Sequence, residues 1–347
     1  VFWCTILIFS IIDQTKSFKG VINFKKDIDR EYLKTDVVIV FDEMAGINSF
    51  ESSKDITPTA TDYIKKIFKK YNFEFYTDVE SLSRNTAASM SALINFSEDI
   101  KIRGRVLKKS PNYFTEYELT ENKLFNKYKN ISIYQNTHID FCNFINVSKC
   151  ESYNPFLEKE YLKGFKDNFF TKIVSIWKLN GSISSIILWR SLRQLRLTDS
   201  ILEPEGHKVS FPNLFKSLQK DIVSKKYDLI FVHTLVPHRP YGFNTECNYD
   251  GSLALTNRYF SIPKMVRQHN IERKCTFFYL DIFLEELVKS NSINSINLTI
   301  LSDHGSRIKR TKDSDLQSIF AFRNNKSIYK EIKKKKILHS LFIEHLK

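Results

Sequence analysis

The chain has 347 residues, 42% of them hydrophobic and 14% aromatic, a composition that excludes a disordered or collagen-like protein and leaves ample material for a core. Lys and Arg number 53 against 39 Asp and Glu, a formal charge of +14, which favours anionic partners. No recognition helix, RNP-like aromatic motif or zinc-finger spacing accompanies that charge, so nucleic-acid reading is set aside.

The opening "VFWCTILIFSII", residues 1–12, is apolar throughout, but a membrane-spanning helix needs roughly 20 such residues. It reads either as a buried first element or as the remnant of a signal peptide or membrane anchor. The absent Met and the polar lead-in over 13–36 favour the second. The β-branched run Val37 to Phe41 then predicts a buried strand ending on Asp42 and Glu43. "TATDYIKKIFKKY" places apolar residues at helical spacing, "FEFYTDVES" predicts a strand, and Thr86 to Leu93 a helix of small residues with Asn85 or Thr86 at its start.

"KLFNKYKNISIYQ" predicts a helix end followed by a strand, and residues 155–226 are expected to be a mostly helical insertion. "YDLIFVHTLVPHRPY" is a near-continuous apolar strand that runs into His233, His238 and Arg239. "TFFYLDIFLEELVKS" has the stripe Phe277, Leu280, Phe283, Leu284 and Leu287 of an amphipathic helix. The strand Leu298 to Leu301 stops on Asp303, His304 and Gly305, "SIFAFRN" is a further strand, and "EIKKKKILHSLFIEHL" is expected to be a last helix with Lys333 to Lys336 on its solvated face. Apolar strands alternating with amphipathic helices imply an α/β protein, a mostly parallel sheet covered on both faces. Residues 37–347 are expected to form a single catalytic domain.

Five cysteines show neither a CxxC pair nor zinc spacing. Cys142 with Cys150 and Cys247 with Cys275 suit two disulfides of an exported domain, although four cysteines permit three pairings and free buried thiols are the alternative.

In an open α/β sheet ligands bind beyond the carboxyl ends of the strands, and three such ends here carry ionisable groups: Asp42/Glu43, His233/His238 and Asp303/His304. Carboxylates with an imidazole suit a divalent cation, Zn or Mn ahead of Ca or Mg. A hydroxyl among them would be activated, and Thr86 at a helix start is the candidate. For the lesser candidates structural roles compete: Asp42 as a strand-end turn residue, His233 as a core histidine, Asp281 as a helix residue bonding neighbouring backbone, and Arg84 and Arg307 as solvated arginines.

The ordered set resembles the alkaline phosphatase superfamily in its sulfatase-like branch, which includes sulfatases, phosphoethanolamine transferases and lipoteichoic acid synthase-type phosphotransferases. The resemblance rests on strand-"FDE", "TAASMSAL", "FVHTLVPHRPY", "FFYLDIFLEELVK" and "ILSDHGS", spread over about residues 37 to 345. It implies a three-layer αβα sandwich, metal ligation by Glu43, Asp42, Thr86, Asp303 and His304, and Thr86 as nucleophile. His238 would bind substrate or protonate the leaving group, with Arg239, Arg84 and Arg307 near an anionic substrate.

The Cys/Ser-x-Pro-x-Arg context that sulfatases require for formylglycine is missing around Thr86. The expectation is therefore a metal-dependent transferase or hydrolase of phosphoester or phosphodiester groups on a lipid or surface polysaccharide, through a phospho-threonine. It would be exported and anchored at the inner membrane. A sulfatase, or a non-catalytic member that binds an anionic glycan, is the alternative. "DHGSR" lacks the Glu that commonly follows Gly in the branch, a departure that touches the substrate pocket more than the metal ligands.

Overall fold

The computed structural model describes residues 34–49, 59–110, 116–136, 138–152, 206–239, 241–249, 260–308 and 315–346. The expected anchor remnant at 1–12 and most of the expected helical insertion lie outside the described residues. Within them a nine-stranded sheet runs in the order β11 (Lys330–Ile332), β2 (Glu74–Glu80), β10 (Gln317–Arg323), β9 (Ile296–Ser302), β1 (Thr35–Phe41), β8 (Leu229–Thr234), β5 (Ile131–Gln135) and β7 (Val147–Ser152), with β12 (Lys336–Ile337) also paired to β2.

Its centre is β1 (Thr35–Phe41), flanked in parallel register by β8 (Leu229–Thr234) and β9 (Ile296–Ser302). Val37 to Phe41 are at most 1% exposed, as expected of a strand covered on both faces. β5 (Ile131–Gln135) and β7 (Val147–Ser152) continue the parallel pairing on one side. On the other, β10 (Gln317–Arg323) runs antiparallel to both β9 and β2 (Glu74–Glu80).

Alternation along β1 sorts the helices into two layers. Ile39 and Phe41 face the side covered by α1 (Ala60–Lys70), α3 (Gly206–Ser224) and α4 (Ile262–Lys289). Val38 and Val40 face α2 (Thr86–Ile94) and α5 (Leu338–Leu346). The architecture is therefore a three-layer αβα sandwich with a mostly parallel sheet. Each Ile, Leu or Phe buried between layers contributes roughly 1.5–3 kcal/mol.

Local signals set the helix ends. Thr59 accepts the Asp62 amide at 3.1 Å and starts α1, while Lys69 and Lys70 close it against the negative end of the helix dipole. Asn85 accepts the Ala88 amide at 3.1 Å and starts α2, so Thr86 is its first residue. α4 begins at Ile262 with Pro263 in its first turn, well ahead of the apolar stripe read from the sequence.

The C-terminal segment departs from expectation. Residues Lys330–Ile332 (β11) and Lys336–Ile337 (β12) pair with β2, and the helix starts only at Leu338. Four consecutive lysines repel on a helix; here Lys333 to Lys335 link the two short strands and only Lys336 enters one. Asp281 also departs: its carboxylate accepts the Tyr71 hydroxyl at 2.6 Å and Lys70 Nζ at 2.8 Å, joining α4 to the end of α1 instead of bonding its own backbone. A small sheet of β3 (Leu107–Lys109), β4 (Tyr117–Leu119) and β6 (Ile139–Asp140) left no periodic trace in the sequence.

Both expected disulfides are formed. Cys142–Cys150 has its Cα atoms 5.9 Å apart and Cys247–Cys275 has them 5.0 Å apart, within the usual range for a bridge.

Candidate active site

Parallel register brings the three polar strand ends together. Phe41 lies opposite Thr234 on β8 and Ser302 on β9, so Asp42 and Asp303 emerge side by side. Glu43 takes φ of 58°, a left-handed conformation uncommon for a non-glycine residue, and this turns its side chain away from Asp42. Asp303 fastens the turn, because its Oδ1 accepts the Glu43 amide at 3.2 Å and the His304 amide at 2.8 Å.

Asp42, Asp303 and His304 each offer a ligand atom within 4.8 Å of the others, and all three are buried. His304 Nδ1 lies 2.7 Å from the Gly305 carbonyl, which can only accept, so Nδ1 carries a proton and the neutral imidazole presents its lone pair at Nε2. That lone pair faces Asp303 Oδ2 at 3.3 Å and Asp42 Oδ1 at 3.7 Å. Thr86 Oγ1 joins the group, 3.2 Å from His304 Nε2 and 3.4 Å from Asp42 Oδ1.

Acceptors thus converge on acceptors, and Asp303 Oδ2 is buried with no hydrogen-bond donor. Burial first, then the charges of Asp303 and Glu43, push the Asp42 carboxyl well above the usual carboxylate range. A divalent cation would resolve each of these conflicts, and the mixed oxygen and nitrogen donors suit one. The residues fit a metal.

Glu43 is in a different setting. Its carboxylate pairs with Arg307 Nε and lies 3.8 Å from His238 Nε2. Burial pushes the Glu43 carboxyl up, but the charges of His238 and Arg307 outweigh it and hold it down at about 2. Arg307 also donates to His238 Nε2 at 3.0 Å.

These groups line a cavity of about 510 Å³ together with Arg84, Asn85, Arg239, Met265, Ile308 and Asp315. Arg84 reaches the buried Asp315 at 3.6 Å while remaining 70% exposed, and Arg239 leans on the Met265 sulfur at 3.0 Å. All three candidate arginines therefore border one cavity. His233 stays beneath it, 1% exposed and 3.2 Å from Asn136, and burial lowers its pKa to about 4.

Two residues that sequence reasoning passed over shape the centre. Ser81 and Ser89 donate to the Asp303 carbonyl at 2.9 and 2.6 Å, pinning the backbone of the ligand turn to α2. Ser89 was detectable, one helical turn beyond Thr86 in "TAASMSAL"; Ser81 and Asp315 carried no signal in the chain.

No family model matches the chain, and no curated protein sequence matches it. Solved structures do. A protein in the alkaline phosphatase superfamily from Vibrio parahaemolyticus is similar at TM-score 0.53 and 11% identity, over 97% of this chain and 72% of that one. The fold is that of the alkaline phosphatase superfamily. The phosphonate monoester hydrolase SpPMH from Silicibacter pomeroyi shares it at TM-score 0.54 and 8% identity, over 89% and 72% of the two chains. Ps i-CgsB, solved in complex with k-i-k-neocarrahexaose, shares it at TM-score 0.55 and 14% identity, over 91% and 72%. In this superfamily fold the cluster described above lies where open α/β sheets bind their ligands, beyond the carboxyl ends of the central strands.

Proposed function

We propose that the protein is a metal-dependent transferase or hydrolase of phosphoester or phosphodiester groups, with Thr86 as nucleophile. The observation that carries this reading is a threonine hydroxyl at a helix start, set against two buried carboxylates and an imidazole lone pair. Asp42, Asp303 and His304 would hold the metal; Glu43, expected from the sequence to be a ligand, is turned instead to Arg307 and His238. Bound there, a divalent cation supplies a lowered pKa at the Thr86 hydroxyl and neutralisation of phosphoryl charge.

The chain's own groups do the rest. Thr86 Oγ1 attacks phosphorus, a new oxygen–phosphorus bond forms, and the bond to the departing oxygen breaks. The hydroxyl proton has Asp42 Oδ1, 3.4 Å away, as its carboxylate acceptor. The N-terminal turn of α2 presents backbone N–H groups to the phosphoryl oxygens, and Arg84, Arg239 and Arg307 offer guanidinium donors around the cavity. His238, beside Glu43, meets the departing oxygen and protonates it in its imidazolium form, once Arg307 turns from its Nε2 to the substrate. Water or an acceptor hydroxyl then takes the phosphoryl group from Thr86 and restores the enzyme. Catalysis of this kind is mainly positioning and charge neutralisation.

The donor is a phosphoryl-bearing lipid or a surface polysaccharide, consistent with the basic charge and the three arginines at one cavity. Two disulfides support a setting outside the reducing cytoplasm.

A chromogenic phosphodiester and a chromogenic sulfate ester, assayed side by side with Mn²⁺, Zn²⁺ or a chelator, test the reading. Phosphodiester turnover that needs the metal and vanishes in Thr86→Ala supports it. Turnover of the sulfate ester alone assigns the site to sulfatase chemistry, and absence of metal binding removes both.

A further inference from the structure

The first half of α4 buries an unusual set of residues. Gln268, His269, Asn270, Glu272 and Arg273 are each at most 4% exposed, although a covered helix face is ordinarily apolar. None takes part in the chemistry proposed above. Their partners lie on the two loops that supply it.

Gln268 Nε2 donates to the Phe243 carbonyl at 2.6 Å. Glu272 Oε1 accepts the amides of Gly242 at 2.5 Å and Phe243 at 2.7 Å. Cys275 is bridged to Cys247, and the Tyr279 hydroxyl donates to the Cys247 carbonyl at 2.8 Å. Positions 268, 272, 275 and 279 follow helical spacing and form one stripe, along which residues 241–249 are laid. That segment begins two residues after Arg239 in the chain.

One position off the stripe, Arg273 donates to the Gly46 carbonyl at 2.9 Å and to Asn270 Oδ1 at 3.0 Å. Gly46 lies three residues beyond Glu43 in the chain, and a Cβ there would stand 2.7 Å from the Ser318 carbonyl oxygen. α4 therefore grips, through adjacent residues, the chain leaving Glu43 and the chain leaving His238.

We propose that Glu272 is a positioning residue for His238. By collecting two consecutive amides on one carboxylate oxygen it sets where His238 stands against Glu43 and Arg307, and so its reach to the departing oxygen. A charged acceptor holds such amides about twice as strongly as a neutral one, which accounts for a carboxylate on a buried helix face. The inference rests on the reading of His238 as the group that meets that oxygen. A carboxamide at position 272 keeps the acceptor, whereas alanine leaves two buried N–H groups without one.

The test compares wild type, Glu272→Gln, Glu272→Ala and His238→Ala on two phosphodiesters that differ only in the departing group. One releases p-nitrophenol, which needs no proton to depart; the other releases an unactivated alkyl alcohol, which does. Hydrogen–deuterium exchange of the peptide covering 238–243 is followed in the same proteins.

Glu272→Ala is expected to lose roughly 30-fold in kcat on the alkyl ester and less than about 3-fold on the nitrophenyl ester, the pattern of His238→Ala. Glu272→Gln should lose about 3-fold on the alkyl ester alone, and it decides the matter if the alanine variant does not fold. Exchange over 238–243 should accelerate while that over 301–305 does not. An equal loss on both esters, or unchanged exchange over 238–243 in a folded variant, overturns the proposal. If wild type turns over neither ester, the phosphoester reading falls by itself. The exchange arm then still decides whether Glu272 places the loop.

Discussion

Asp42 and Glu43 leave the same strand one peptide apart and end in opposite settings. Asp42 turns inward to Asp303 and His304, where like charges and an imidazole lone pair face one another and its carboxyl is pushed far up. Glu43 turns outward to Arg307 and His238 and is held down at about 2. Arg307 and Thr86 offset the inner cluster's charge only in part, while the outer carboxylate pairs with Arg307 directly. Carboxylates whose surroundings drive them apart in this way mark different roles within one site. The inner one calls for a cation; the outer one orders the groups that meet substrate.

The largest expected effect is on the inner cluster's hydroxyl. Thr86→Ala should lower turnover of a phosphodiester by roughly a thousandfold or more with metal binding largely retained, measured by steady-state kinetics beside calorimetric metal titration. A variant that keeps a tenth of the activity would separate the nucleophile from this threonine.

Asp303→Asn sharpens the contrast between the two settings. At a metal concentration a hundredfold above Kd, wild type should gain about 2.7 kcal/mol in thermal or urea unfolding, and the variant should lose that gain. In chelator the same substitution should raise the melting temperature, because it removes one of the facing charges while Oδ1 can still accept the Glu43 and His304 amides. A variant less stable than wild type in chelator would mean that the cluster is not strained.

The pH dependence of metal-free stability reads both carboxylates, with opposite signs. Glu43 titrates at about 2 in the folded state against 4.5 for its ordinary value. Its contribution is therefore complete above about pH 4.5 and is lost as the pH falls toward 2, at most about 3 kcal/mol. Asp42 is raised, so its ionised form opposes folding, and stability should return as the pH falls through that raised value. In urea titrations Asp42→Asn should abolish the gain on mild acidification, and Glu43→Gln the loss below about pH 4.5.

The smallest effect concerns the outer rim. Arg307 is 41% exposed, so Arg307→Met should cost only about 1 kcal/mol in stability. It should raise KM for an anionic substrate more than it lowers kcat. A large fall in kcat with KM unchanged would move Arg307 from substrate binding to the chemistry itself.

The two halves of α4 show what sequence reading reaches. The second half buries Phe277, Leu280, Phe283, Leu284 and Leu287, and that apolar stripe at helical spacing was visible in the letters. The first half buries Gln268, Asn270, Glu272 and Arg273, whose periodicity is invisible because hydrophobicity does not report a buried polar face. The Lys333 to Lys336 run failed for a related reason. Its neighbours looked helical, but an open edge at β2 was available for pairing, and only the folded sheet creates that edge.

Local chemistry determined the strands, the small-residue helix that opens at Thr86 and the polar residues at three strand ends. Strand and helix patterns are properties of near neighbours and survive in one dimension. Tertiary structure alone decided that Asp42 joins the buried cluster while Glu43 turns to Arg307, since a left-handed residue at 43 divides them. It alone also recruited Ser81, Asp315 and Glu272. Each acts across a separation that no spacing rule spans: Ser81 is 222 residues from the Asp303 carbonyl that it holds.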